Sequence, residues 1–141
     1  MKEKLCLAIG MTGSTIASFF GGFDFGLKTL CIFMIIDLIT GGFILPAIFK
    51  KSPKSQNGAL DSNAFGKGIC RKGMYLLIVL IAYRLDILIG TNYIRDGVII
   101  AFICNELISI TENAGLMGVP LPNVIKKAID ILTTKSNGSE S

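Results

Sequence analysis

The chain has 141 residues, of which 51% are hydrophobic and only 17% charged, with four cysteines, no histidine and a formal charge of +4. A soluble domain this short buries too small a share of its surface to hide so much apolar material, so the composition points to lipid. Without histidine, imidazole metal sites and His-based catalytic triads are excluded, and the aromatic residues lie in apolar runs rather than among the basic ones, which argues against a nucleic-acid surface.

The first apolar stretch, 5–23, is diluted by Thr12, Ser14, Thr15 and Ser18 and weakened as a helix by its glycines. It either spans a membrane or lies in the interface. Gly10, Ser14, Ser18 and Gly22 recur every fourth position, a ladder of small residues that lets helix backbones approach closely in lipid. Lys2 and Lys4 ahead of it would also suit a signal peptide, but no small-x-small cleavage pattern follows cleanly.

The second stretch, 27–49, is long enough to cross the hydrocarbon core. It places Asp37 near its middle, followed one turn later by Thr40 and Gly41 in the run DLITGG. A loop is expected over 50–73, where KKSPKSQNGALDSNAFGKGICRK mixes proline, glycines and polar residues. Six of the fourteen basic residues fall here, Lys50, Lys51, Lys54, Lys67, Arg71 and Lys72, against the single acid Asp61. The positive-inside rule places such a loop in the cytoplasm.

The third stretch, 74–90, reads MYLLIVLIAYRLDILIG and carries Arg84 and Asp86. Residues two apart do not face each other on a helix, so Arg84 either pairs with Asp37 or Glu106 on another helix or, lying far enough along its own, snorkels towards the outer interface. In the fourth stretch, 97–117, small or polar residues share one face along Gly97, Ala101, Asn105, Ser109 and Asn113, flanked by Glu106 and Glu112. A polar stripe on a spanning helix is either an oligomer seam or a pore lining.

After Pro120 and Pro122, the segment 123–134 puts Val124, Ile125, Ala128, Ile129 and Leu132 on one side and Lys126, Lys127 and Asp130 elsewhere, an amphipathic helix suited to a membrane surface or a neighbouring helix. Residues 135–141 are expected to be a disordered polar tail. Cys6, Cys31, Cys70 and Cys104 form no CxxC pair and read as small apolar residues.

The fold expected is all-α, a single polytopic transmembrane domain over 1–134 with three to four spans plus the C-terminal amphipathic helix. With four spans, both termini join the basic loop in the cytoplasm, and 22–26 and 91–96 connect the helices outside. With three, Lys2 and Lys4 lie on the wrong side.

DLITGG, the approach GKGICRKGMYLLIVLIAYRLD into the third stretch, NELISITEN in the fourth and GVPLPNVIKKAIDIL after it resemble, in that order, the toxin-secretion and phage-lysis holin family. The resemblance implies a protein that oligomerises in the bacterial cytoplasmic membrane and releases an endolysin or a large toxin, with no catalytic residue, metal or cofactor. It directs attention to Asp37, Thr40, Gly41, Asn105, Glu106, Glu112 and Asn113; Arg84, Asp86 and Ser109 join them as seam or pore-lining candidates. A small channel or transporter would use the same acids, although no internal repeat is visible. A passive scaffold subunit would use them only as internal contacts. An enzyme would need a nucleophile and base or a metal cluster, and none is legible.

Overall fold

A computed structural model describes residues 1–138 of the chain, and all the regular structure there is helical. The elements are α1 (Lys2–Phe19), α2 (Phe25–Ile39), a π-helical continuation (Thr40–Phe49), α3 (Ser62–Ile89), α4 (Ile94–Leu116) and α5 (Asn123–Gly138). Side-chain caps begin two of them: Asp24 accepts from the Leu27 amide and Asp61 from the Asn63 amide, satisfying donors that a helix start leaves free.

α2, α3 and α4 form the core. Along α2 the buried positions are Leu27, Leu30, Met34 and Asp37, continuing through Gly41 and Leu45 in the π segment. On α3 they are Val79, Ala82 and Asp86, and on α4 Arg95, Ile99, Ile103, Cys104, Glu106 and Asn113. The sets on α2 and α3 advance by three or four residues and that on α4 by one or two turns, with Cys104 beside Ile103, so each helix turns one stripe inward. Leu30, Leu45 and Val79 are fully buried and hold the three helices together by close packing. Tyr75 and Phe102 stack across α3 and α4 with ring centroids 4.2 Å apart.

The Phe25–Phe49 rod is the one helix, among the described residues, that is long and apolar enough by length and composition to cross a membrane. It widens into π geometry from Thr40, where Gly41, Gly42 and Pro46 weaken or interrupt the ordinary helical ladder.

Three boundaries differ from the sequence expectation. The loop expected over 50–73 ends at Asp61, because α3 starts at Ser62 and takes in the whole GKGICRK run. Packing overrides the low helix propensity of Gly66, Gly68 and Gly73: Phe65 lies against Gly42, and Lys72 reaches the interior. The first helix stops at Phe19 rather than continuing to 23, since Gly21 and Gly22 turn with positive φ. The last helix runs on through Gly138, so 135–138 are helical where a polar tail was expected; 139–141 lie outside the described residues.

α1 contributes no buried residue, and Leu5, Leu7, Ile9, Met11 and Ile16 are all more than half exposed. Its Thr12 and Thr15 hydroxyls donate to the carbonyls of Ala8 and Met11, one turn back.

Candidate functional site

The buried stripes bring charges together where α2, α3 and α4 meet. Lys72 Nζ lies 2.7 Å from Asp37 Oδ2 and 2.7 Å from Glu106 Oε2, a three-helix ion cluster. Asn113 extends it, its Nδ2 donating to Asp37 Oδ1 at 2.8 Å and to Thr40 Oγ1 at 3.0 Å. Asp37 and Glu106 are only 5% and 4% exposed as side chains. Carboxylates buried to that extent need both a counter-charge and hydrogen bonds, and here Lys72 and Asn113 supply them.

The DLITGG run makes this arrangement possible. Asp37 points inward because it continues the Leu27, Leu30 and Met34 stripe. Gly41 is the point of close approach: a Cβ there would lie 2.7 Å from Asn113 Nδ2 and 3.0 Å from its Oδ1, so any side chain would push Asn113 off Asp37. Two small cavities of about 30 and 40 Å³ flank the cluster, both lined by Asp37, Lys54 and Lys72 and each roomy enough for a water molecule.

A second polar cluster closes the other end of the bundle. Asp86, near the end of α3, accepts from the Thr91 hydroxyl at 2.6 Å and from the Ile94 and Arg95 amides at 3.0 and 2.9 Å, so it caps the start of α4. Arg95 then reaches into the α1–α2 turn, donating to the Phe20 carbonyl, to the Gly22 carbonyl at 3.1 Å and to both Asp24 oxygens at 2.8 and 3.2 Å. The Arg95 guanidinium, hydrogen-bonded to Asp24, holds that carboxyl below its usual range.

Of the residues singled out in the sequence, Asp37, Thr40, Gly41, Glu106 and Asn113 therefore meet in one network. Asp86 serves as a cap. Asn105 and Glu112 are exposed and Ser109 is half-buried, so the fourth-position stripe divides between the inside and the outside of the bundle. Gly10, Ser14 and Ser18 lie on the outer surface of α1, with no atom near enough to touch a Cβ at Gly10, while Gly22 lies in the turn.

Of the two readings of Arg84, the pairing with Asp37 or Glu106 does not occur. Arg84 stands two residues past buried Ala82, pointing out of the bundle, and is exposed. Lys72 takes that role, and its signal was present in the sequence: Phe65, Lys72, Val79 and Asp86 recur every seven residues, the register of an inward face. Arg95 was the other residue missed, hidden as one charge of a short connection.

Residues 14–134 match the model of the bacteriophage holin family. An uncharacterised protein of Listeria innocua is 36% identical across 97% of this chain and 94% of its own length. One from Clostridium perfringens is 34% identical across 94% of this chain and 95% of its own. A protein of Bacillus phage phi105 named as a probable holin is 30% identical across 79% of this chain and 76% of its own. No solved structure matches.

Proposed function

The chain belongs to the bacteriophage holin family, and we propose that it is a holin that crosses the bacterial cytoplasmic membrane four times and assembles there into lesions releasing an endolysin or a large toxin. Membership implies a membrane protein, and a non-enzymatic role is part of this reading. The rest of this reading is carried by one observation, the sorting of polar groups between the inside and the outside of the bundle.

Inside, Lys72 neutralises charge on α2 and α4, and Asp86 is satisfied as a cap, so α3 and α4 lose much of the charge that would keep them out of lipid. Outside, Asn105 and Glu112 on α4 face away from the core. A lone polar side chain at hydrocarbon depth is unfavourable, whereas a neighbouring subunit or a water-filled opening satisfies it. Asn105, Ser109 and Glu112 are thus the proposed seam or lesion lining. Gly10, Ser14 and Ser18 supply a second face on α1 for close helix contact. Asp37, Thr40, Gly41, Glu106 and Asn113 hold each subunit together.

Contacts between such faces accumulate with concentration in the membrane, so failure should come abruptly after a delay. Inducing the chain in a bacterium should leave growth normal at first and then collapse the membrane potential, and co-expressed endolysin should convert the collapse into lysis. Sustained growth with the protein present in the membrane, as expected of a passive scaffold, would sink the proposal.

A further inference from the structure

α5 folds back along α4. Lys126 and Ile129 face Thr111 and Glu112 across a cleft that Ile108 and Asp130 also line, and further along Thr133 reaches the Cys104 thiol. Cys104 lies twelve positions before Leu116, the last residue of α4 (116 − 104), or about 18 Å up that helix at ~1.5 Å per residue. In a bilayer whose core is about 30 Å thick, a spanning α4 would carry this part of α5 into hydrocarbon, together with Asp130 and Lys135. Lipid does not accept charges there without partners.

α5 is also only partly satisfied by α4. Ile129, Leu132 and Thr133 are half-buried, but Val124 and Ile131 remain 79% and 59% exposed. On the helix circumference Val124, Ala128, Ile131 and Leu132 form one continuous apolar arc. Lys126 and Lys127 lie off that arc, and Lys135 near the far end is long enough to snorkel. An apolar face with a net positive charge matches an anionic lipid surface.

We infer that α5 has two alternative seats, the α4 groove seen here and the anionic headgroup surface of the membrane, and that it moves to the second when α4 spans. The move lays Val124, Ala128, Ile131 and Leu132 into the interface and puts the lysines among the headgroups. It also uncovers Cys104, Ile108 and Thr111 on α4 for contact with another helix. The inference rests on the reading of α4 as a span and does not depend on the release of any cargo.

The test uses the full chain carrying Cys6→Ser, Cys31→Ser and Cys70→Ser together with Thr133→Cys, treated with a short thiol-to-thiol crosslinker. Cys104 and position 133 should crosslink efficiently in detergent, and the yield should fall several-fold in vesicles of phosphatidylcholine with phosphatidylglycerol. Phosphatidylcholine alone should lower it less, and Lys126→Glu with Lys127→Glu should restore it in the anionic vesicles. Absence of the crosslink in detergent, or equal yields in detergent and anionic vesicles, would overturn the inference. So would a loss in phosphatidylcholine alone as large as that with the anionic lipid. Because the readout is a crosslink, a chain that behaves as expected yet never depolarises cells would refute the holin proposal and support this one.

Discussion

Two carboxylates and one ammonium meet at 2.7 Å where α2, α3 and α4 converge, so deleting the ammonium is not equivalent to deleting one of the acids. Lys72→Met would leave Asp37 and Glu106 buried without their counter-charge, the kind of loss that costs about 3–5 kcal/mol. Glu106→Gln leaves Lys72 paired with Asp37 and keeps a hydrogen-bond acceptor, so it should cost less than about 1.5 kcal/mol. Combining Lys72→Met with Asp37→Asn and Glu106→Gln should recover much of the single-variant loss, because no uncompensated charge remains. Denaturant unfolding in detergent measures all three. If Lys72→Met were no worse than Glu106→Gln, the cluster would not hold the helices together. The acids of this cluster were legible in the sequence because a carboxylate inside an apolar run needs an explanation. Lys72 was not, because it stands at the end of a basic stretch and only the seven-residue register of α3 distinguishes it from its neighbours.

At the scale of elements, the sequence shows four apolar segments and an amphipathic fifth, and each of them lies largely within helical structure. It did not show where they end, since those points depend on contacts distant in the chain. Residues Gly66, Gly68 and Gly73 read as loop until Phe65 and Lys72 are seen packed against α2 and its continuation. The α1–α2 turn is likewise fixed from afar: Arg95 of α4 binds the Phe20 and Gly22 carbonyls and Asp24, and Tyr83 lies 2.8 Å from where a Cβ on Gly21 would stand. Arg95→Ala should therefore free this turn, and backbone amides of residues 21–26 should exchange with solvent markedly faster while the α3 core keeps its protection. Acid should act at the same place. Because Arg95 lowers the Asp24 pKa in the folded chain, the stabilisation from this pair is present above the unfolded carboxylate range and is lost as pH falls through the folded value. Exchange in the turn that is unchanged by Arg95→Ala would show that α1 is positioned by something else.

For the whole molecule, the proposed four-span topology implies an orientation that helix length and charge make testable. α3 has 28 residues and is about 42 Å long at ~1.5 Å per residue, some 12 Å more than a ~30 Å hydrocarbon core. Its C-terminal end carries the Asp86 cap beside the Arg95 cluster, so under the proposed four-span topology that end would lie at one interface and the excess would emerge at the other. The emerging part holds Lys67 and is bounded by Cys70 and Arg71 at the interface, next to a loop with Lys50, Lys51 and Lys54. A basic excess of this kind belongs on the cytoplasmic side. Four crossings bring Lys2 and Lys4 to the same side, and the lysines of α5 as well. Cys70 is exposed and lies about twenty residues before Gly90, so the proposed topology would put its thiol at the inner interface and make it a native reporter of orientation. With the other three cysteines changed to serine, a membrane-impermeant maleimide should leave Cys70 unlabelled in intact cells before any loss of membrane potential. The same reagent should label it readily in inverted membrane vesicles. Labelling of Cys70 from outside in cells that still hold their potential would reverse the orientation and with it the four-span topology proposed for this chain.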